Sequence, residues 1–223
     1  MSAGFLAVAL AVGGIVALTT GQNETLASTA AGPPDSSDLG RGERAEGCRT
    51  DDTGKAVPMD PPKGIKWRVM GLVRVPVSAE AGPTRLDGGV WWCFAHTPLG
   101  AVMAAHIITS EITEKHWRSV LDRQIVAGQG RDIFAFTRAT EPDVIRGSAS
   151  RSVATPAGFA VTSYTDSAAE VKLLLKTGSG YAESAFDLRW SGGDWKLLPS
   201  PHGALHSEAI PVENPRGYVL WKG

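Results

Sequence analysis

The 223-residue sequence has no surplus of either charge: 22 Lys and Arg stand against 23 Asp and Glu, a formal net charge of −1. A protein that grips nucleic acid through its phosphates needs clustered cations. No direct nucleic-acid partner is therefore expected. The chain also lacks a Gly-x-Ser-x-Gly elbow, a glycine-rich phosphate loop and a Cys-x-x-Cys pair, so the motifs for nucleophile-elbow hydrolysis, nucleotide-triphosphate chemistry and dithiol exchange are missing. Only two cysteines are present, Cys48 and Cys93. Outside the cytoplasm such a pair can be oxidised, and two readings stay open: a bridge that pins a polar tail to the domain, or two unrelated thiols.

Long apolar runs are absent except at the start. Residues 4–18 read GFLAVALAVGGIVAL and, with Ala3, Thr19 and Thr20, make 18 poorly hydrated residues. As a helix these reach about 27 Å, slightly short of a hydrocarbon core of about 30 Å. No Lys or Arg precedes the run, so the usual positive flank that sets orientation is missing. Residues 1–20 are read as a membrane anchor, the alternative being a signal segment cleaved near the small residues 27–31 to release a secreted protein. Residues 21–64 follow, rich in Gly, Pro, Ser, Thr, Asp and Glu and without apolar periodicity. Such a segment buries too little to offset its ordering entropy and is expected to be a disordered linker.

The domain is expected over residues 65–223. IKWRVMGLVRVPV, residues 65–77, reads as one extended strand. Thr97-Pro98 is a helix start, because a hydroxyl can cap a backbone N–H and proline suits the first turn. The helix over 98–111 is apolar nearly all round and should be buried on most faces. A second helix is expected over 114–126, with Trp117, Val120, Leu121 and Ile125 on one side, and a short third helix near RDIFAFTRA. Beyond the polar stretch EPDVIRGSASRS the period changes from about 3.6 to 2, and strands follow.

In AAEVKLLLKT the residues Ala169, Val171, Leu173 and Leu175 share a face; in YAESAFDLRW Ala182, Ser184, Phe186, Leu188 and Trp190 do. If residues 178–181 form the loop, Thr177 opposes Ala182, Val171 meets Leu188 and Leu173 meets Phe186. That register opposes Lys176 to Glu183, Lys172 to Asp187 and Glu170 to Arg189 outside. WSGGDW then turns back so that Trp190 faces Trp195 and Leu188 faces Leu197. A strand over 158–165, turned at Asp166-Ser167, completes a meander of at least four strands. Helices followed by antiparallel strands give an α+β class.

Histidines are the remaining candidates for chemistry. His96, His106 and His116 are spaced by ten, which on one helix would not place neighbours on one face. His106 falls with Leu99, Val102 and Met103, as a hydrogen-bonded core residue would. His202 and His206 form His-x-x-x-His, but Pro199, Pro201 and Gly203 surround them and argue against a zinc-presenting helix. No catalytic, cofactor-binding or metal-ligating residue is expected.

Helices followed by a curved meander closed by SGGDWKLLP resemble the cone-shaped nuclear-transport-factor-like, or cystatin-like, fold. Taken with the apolar start and the polar linker, the chain is similar to membrane-anchored scaffold components of conjugation and type IV secretion machines. More narrowly, CFAHTPLGAVMAAH with the later SGGDWKLLP resembles membrane-linked proteins encoded on actinobacterial mobile elements. The resemblance implies a noncatalytic, single-pass protein with its domain outside the cytoplasm, which contacts other membrane and channel subunits and pairs with itself. The rival reading is a secreted or anchored small-ligand binder or enzyme that uses the cone pocket, with His96, His106 and Tyr164 as its polar groups.

Overall fold

The computed structural model describes residues 44–140 and 154–222. The expected anchor over 1–20, most of the linker and the polar stretch after the third helix lie outside the described residues. Among the described residues no helix is long and apolar enough to cross a membrane.

The first helix, α1 (Pro98–Glu111), begins as its sequence dictates. Thr97 is extended, and its hydroxyl accepts the Gly100 N–H at 3.0 Å, which satisfies one of the orphan donors of the first turn. Gly100 has no replacement there, because any Cβ would collide with the Ala95 carbonyl. Apolar on most sides, α1 is buried from Ala101 to Ile108. The second helix, α2 (Trp117–Gln124), is shorter at both ends than expected. It stops at Gln124 because Ile125 turns extended, the conformation a β-branched residue favours, and bridges Leu197 in parallel. A third helix, α3 (Gln129–Thr140), follows.

Two small hairpins precede these helices. The segment expected as one strand is β1 (Lys66–Met70) and β2 (Val73–Val77), antiparallel to each other. Gly71, at φ +57°, reverses the chain between them, a conformation glycine takes without strain. The second hairpin is β3 (Arg85–Asp87) with β4 (Val90–Trp92). After α3 come β5 (Thr155–Tyr164), β6 (Ala168–Thr177), β7 (Gly180–Ser191) and β8 (Asp194–Leu197), then the short β9 (Ile210–Val212) and β10 (Val219–Leu220). The main sheet runs β10-β5-β6-β7-β8, with β9 also on β7. The fold is α+β, with α1 packed on the face that carries Val171, Leu173, Phe186 and Leu188.

Pairing of β6 with β7 departs from the expected register by two residues. Thr177 opposes Gly180, Val171 opposes Phe186 and Leu173 opposes Ser184. Gly178-Ser179 suffices as a two-residue turn, the tightest connection that strand twist favours. A shift of two keeps every side chain on its face, so the apolar pattern could not tell the two registers apart. The outer charge pairs do change. Glu170 faces Asp187, not Arg189, and burial first and Glu170 second hold the Asp187 carboxyl above its ordinary range. Lys172 reaches diagonally to Glu183 at 2.9 Å. The Trp190–Trp195 and Leu188–Leu197 pairs form as expected.

Glu111, at the last turn of α1, is fully buried. Its Oε1 accepts the Trp91 N–H at 2.7 Å, while Gln124 Nε2 donates to the Trp91 carbonyl at 2.8 Å. Two side chains thus satisfy the free edge of β4, which has no strand partner there among the described residues. Burial pushes the Glu111 carboxyl up to about 9, the Trp91 bond offsetting part of the shift. A folded-state pKa raised above the ordinary 4.5 means that the folded chain keeps a proton the unfolded chain has lost, so stability falls as pH rises across that window. His106 acts oppositely, held down to about 3 by burial, but only below its ordinary 6.5. Between about pH 7 and about pH 8.5 the unfolding free energy measured in urea is therefore expected to fall, by up to about 1.4 kcal/mol per pH unit. Glu111→Gln, which keeps an acceptor for Trp91 and removes the titration, is expected to flatten that slope.

Candidate functional site

A glycine pair starts a densely hydrogen-bonded part of the molecule. Gly192 and Gly193, at φ +61° and +74°, supply the paired left-handed residues of a tight hairpin turn and bring Asp194 to the head of β8. The Asp194 carboxylate is buried. Its Oδ2 accepts the Cys93 N–H at 2.8 Å, and its Oδ1 accepts those of Phe94 at 2.9 Å and Trp195 at 3.0 Å. Burial pushes the carboxyl up to about 6, while these donors and Arg44 pull it back. Trp195 Nε1 donates to the Ala95 carbonyl at 2.9 Å. Two segments a hundred residues apart in sequence are thereby joined at Asp194.

On the outer side of this joint Cys48 and Cys93 form a disulfide. Arg44 donates to Asp52 Oδ2 at 3.0 Å, to Thr50 Oγ1 at 2.8 Å and to the Phe94 carbonyl at 3.0 Å, and its guanidinium lies 5.2 Å from the Trp190 ring. Asp52 in turn accepts the His96 N–H at 2.8 Å. Residues 44–64, expected within the disordered linker, instead contribute this set of contacts. Their composition promised little burial, and what holds them is a covalent bond and charge-assisted hydrogen bonds.

His96 and Tyr164 belong to the same cluster. The His96 ring stacks on Trp190 at 3.8 Å, and its Nε2 meets the Asp166 carbonyl at 2.5 Å. The Tyr164 hydroxyl donates to the His96 carbonyl at 3.2 Å; burial first, then Asp166 and Asp52, push it up to about 12. Lys55 reaches both the His96 carbonyl at 2.7 Å and Asp166 at 3.1 Å. These groups are spent on each other and on backbone, as packing groups are.

His106 lies elsewhere. It lines a cavity of about 740 Å³ between the C-terminal half of α1, α3, and the face of β6 and β7 that carries Leu173 and Phe186. Neither His96 nor Tyr164 lines it, so the three polar groups do not form one pocket. The His106 ring is buried, 5.5 Å from Trp221, and its Nε2 has no partner among the described residues. It is thus not the hydrogen-bonded core residue expected. Of the other histidines, His206 stands at the cavity rim and bonds the Ser207 carbonyl at 2.7 Å. No group of three or more possible ligands for a metal ion occurs among the described residues. Sequence reading missed Asp194, although an acidic residue next to a Gly-Gly turn and flanked by Trp195 was a signal for it.

Asp194→Ala leaves the Cys93 and Phe94 N–H groups buried without acceptors, each worth about 1–3 kcal/mol. A loss of about 3 kcal/mol or more in urea unfolding is expected, with a smaller loss for Asp194→Asn, which retains one acceptor oxygen.

A family model described as a domain of unknown function (DUF8175) matches residues 28–220. No curated protein and no solved structure matches the chain. With most of its length covered by that match, the chain belongs to the DUF8175 family.

Proposed function

We propose that the chain is a noncatalytic, membrane-anchored scaffold, an extracytoplasmic accessory component of a conjugative DNA-transfer apparatus of the type IV secretion kind, and that its α+β unit is a nuclear-transport-factor-like cone. The observation that carries this reading is the joint at Asp194. The two runs on which the resemblance rests, residues 93–106 and 191–199, meet there through the bonds from Cys93, Phe94 and Ala95 to Asp194 and Trp195. The polar groups at the joint serve packing, which suits a protein that works by holding a shape. A disulfide from Cys48 to Cys93 belongs to an oxidising compartment and supports a domain outside the cytoplasm. Register irregularities in β5 near Gly158 and Ser163 are of the kind that bend a sheet, in keeping with a cone wrapped on α1.

In crosslinked membranes the tagged full chain is expected to co-purify with itself and with a DNA-translocating ATPase or channel subunits of the same element. Recovery of the chain without any of these, from cells whose DNA transfer survives its deletion, would overturn the reading. Cys48→Ser removes the bridge and is expected to lower stability by about 2–5 kcal/mol and to reduce transfer with it.

A further inference from the structure

Between Asp60 and Glu80 the chain carries Lys63, Lys66, Arg68 and Arg74 and no acidic residue. In a chain with a net charge of −1 that is a local excess, and the fold gathers it on one hairpin. There β2 packs against α1 and β5 and buries Val75 and Pro76, whereas β1 pairs with β2 alone among the described residues. The outer strand therefore leaves Lys66, Arg68 and Val69 exposed. Gly71 and Leu72 make the turn, and Arg74 stands opposite Val69, so those two share a face. Lys63 and Arg74 are exposed as well. Glu114, half-buried, lies against Gly71; four cations against this one acid still leave the hairpin positive.

Apolar side chains stand out at the same tip. Val69 is 73% and Leu72 63% exposed. Half-buried Trp67 packs edge-on with Trp221, and the Arg74 guanidinium lies 5.7 Å from its ring. Lysine and arginine on a free strand edge guard it against pairing with other chains, but a tip that is merely guarded has no use for two exposed aliphatic side chains. A nucleic acid answers the cations alone. An anionic bilayer interface answers both features: headgroup phosphates meet the cations, the acyl boundary takes the aliphatic tip, and an amphipathic ring such as Trp67 suits the headgroup level.

We propose that the tip of the β1–β2 hairpin docks on an anionic lipid bilayer, with Val69 and Leu72 at the acyl boundary and Lys66, Arg68 and Arg74 against the headgroup phosphates. This contact goes beyond the scaffold reading and needs no other subunit, so it stands or falls on lipid alone.

The test uses the full chain with its disulfide intact, mixed with vesicles of phosphatidylglycerol or of phosphatidylcholine, and reads amide hydrogen exchange peptide by peptide. Any attachment through the apolar start is common to both lipids, so the comparison reports on the hairpin. Exchange over residues 66–77 is expected to be at least about fivefold slower on phosphatidylglycerol than on phosphatidylcholine, roughly the margin of a single cation at a charged surface. Salt should shrink the difference as the Debye length shortens. Lys66→Glu with Arg68→Glu should abolish it, and Val69→Ser with Leu72→Ser should remove whatever protection survives at high salt. All four positions are exposed, and unchanged exchange in α1 checks that each variant is folded. Equal exchange on the two lipids overturns the proposal, as does protection indifferent to the charge reversals, or equal protection by a single-stranded oligonucleotide in place of vesicles.

Discussion

A buried carboxylate with converging donors is the constraint on which this fold rests. Asp194 accepts from Cys93, Phe94 and Trp195, and a carboxylate buried this deeply persists only when donors surround it. The consequence reaches in both directions along the chain. Upstream, it holds Cys93 at φ +71°, a conformation uncommon outside glycine, and so sets the corner after which Thr97 can start α1. Downstream, it places Trp195 so that its indole donates to Ala95 and β8 closes the edge of the sheet. The disulfide and the Arg44 cluster attach to a corner that already exists.

The two ends of α1 have different surroundings because different chemistry meets them. At the N-terminal end several polar groups find partners: Thr97 caps, Asp194 collects N–H groups and Trp195 reaches the carbonyl of Ala95. Toward the C-terminal end the helix meets the free edge of β4 through Glu111 and borders a cavity through His106. Desolvation favours the neutral forms there, raising the Glu111 carboxyl and lowering the His106 imidazole. The same helix is thus a sealed wedge at one end and the wall of a chamber at the other.

What could be read in the sequence follows the range of the interactions concerned. Local signals were legible: the Thr97-Pro98 cap, the buried α1, the third helix, the Gly-Gly turn that pairs Trp190 with Trp195, and the α+β class. The inner faces of β6 and β7 were legible too, because alternation survives any even shift of register; the register itself was not, and depended on whether two or four residues made the turn. Gly71 splitting one strand into two was a local signal outweighed by the β-branched residues around it. Long-range facts were silent. That Asp194 would lie under Cys93, that Glu111 and Gln124 would grip Trp91, and that Arg44 would reach Phe94 depends on pairings that no periodicity encodes. Composition misjudged residues 44–64 for the same reason, since their hold on the domain comes from individual bonds and not from buried area.

The position of the disulfide has a mechanical consequence. Cys48 and Cys93 lie 45 residues apart, and β1, β2, β3 and β4 all fall inside the covalent loop that they close. Tension applied through the N-terminal side of the chain passes from Cys48 directly to Cys93 and on to α1. The four strands inside the loop are bypassed and carry no load, so they can deform, or be held by another molecule, without altering the path along which force travels. Beyond Cys93 that path runs into the corner held by Asp194, where the N–H bonds of Cys93 and Phe94 must shear together before anything peels from the sheet. Strain arriving from the N-terminal side of Cys48 is delivered to the start of α1, at the far end of the helix from the chamber.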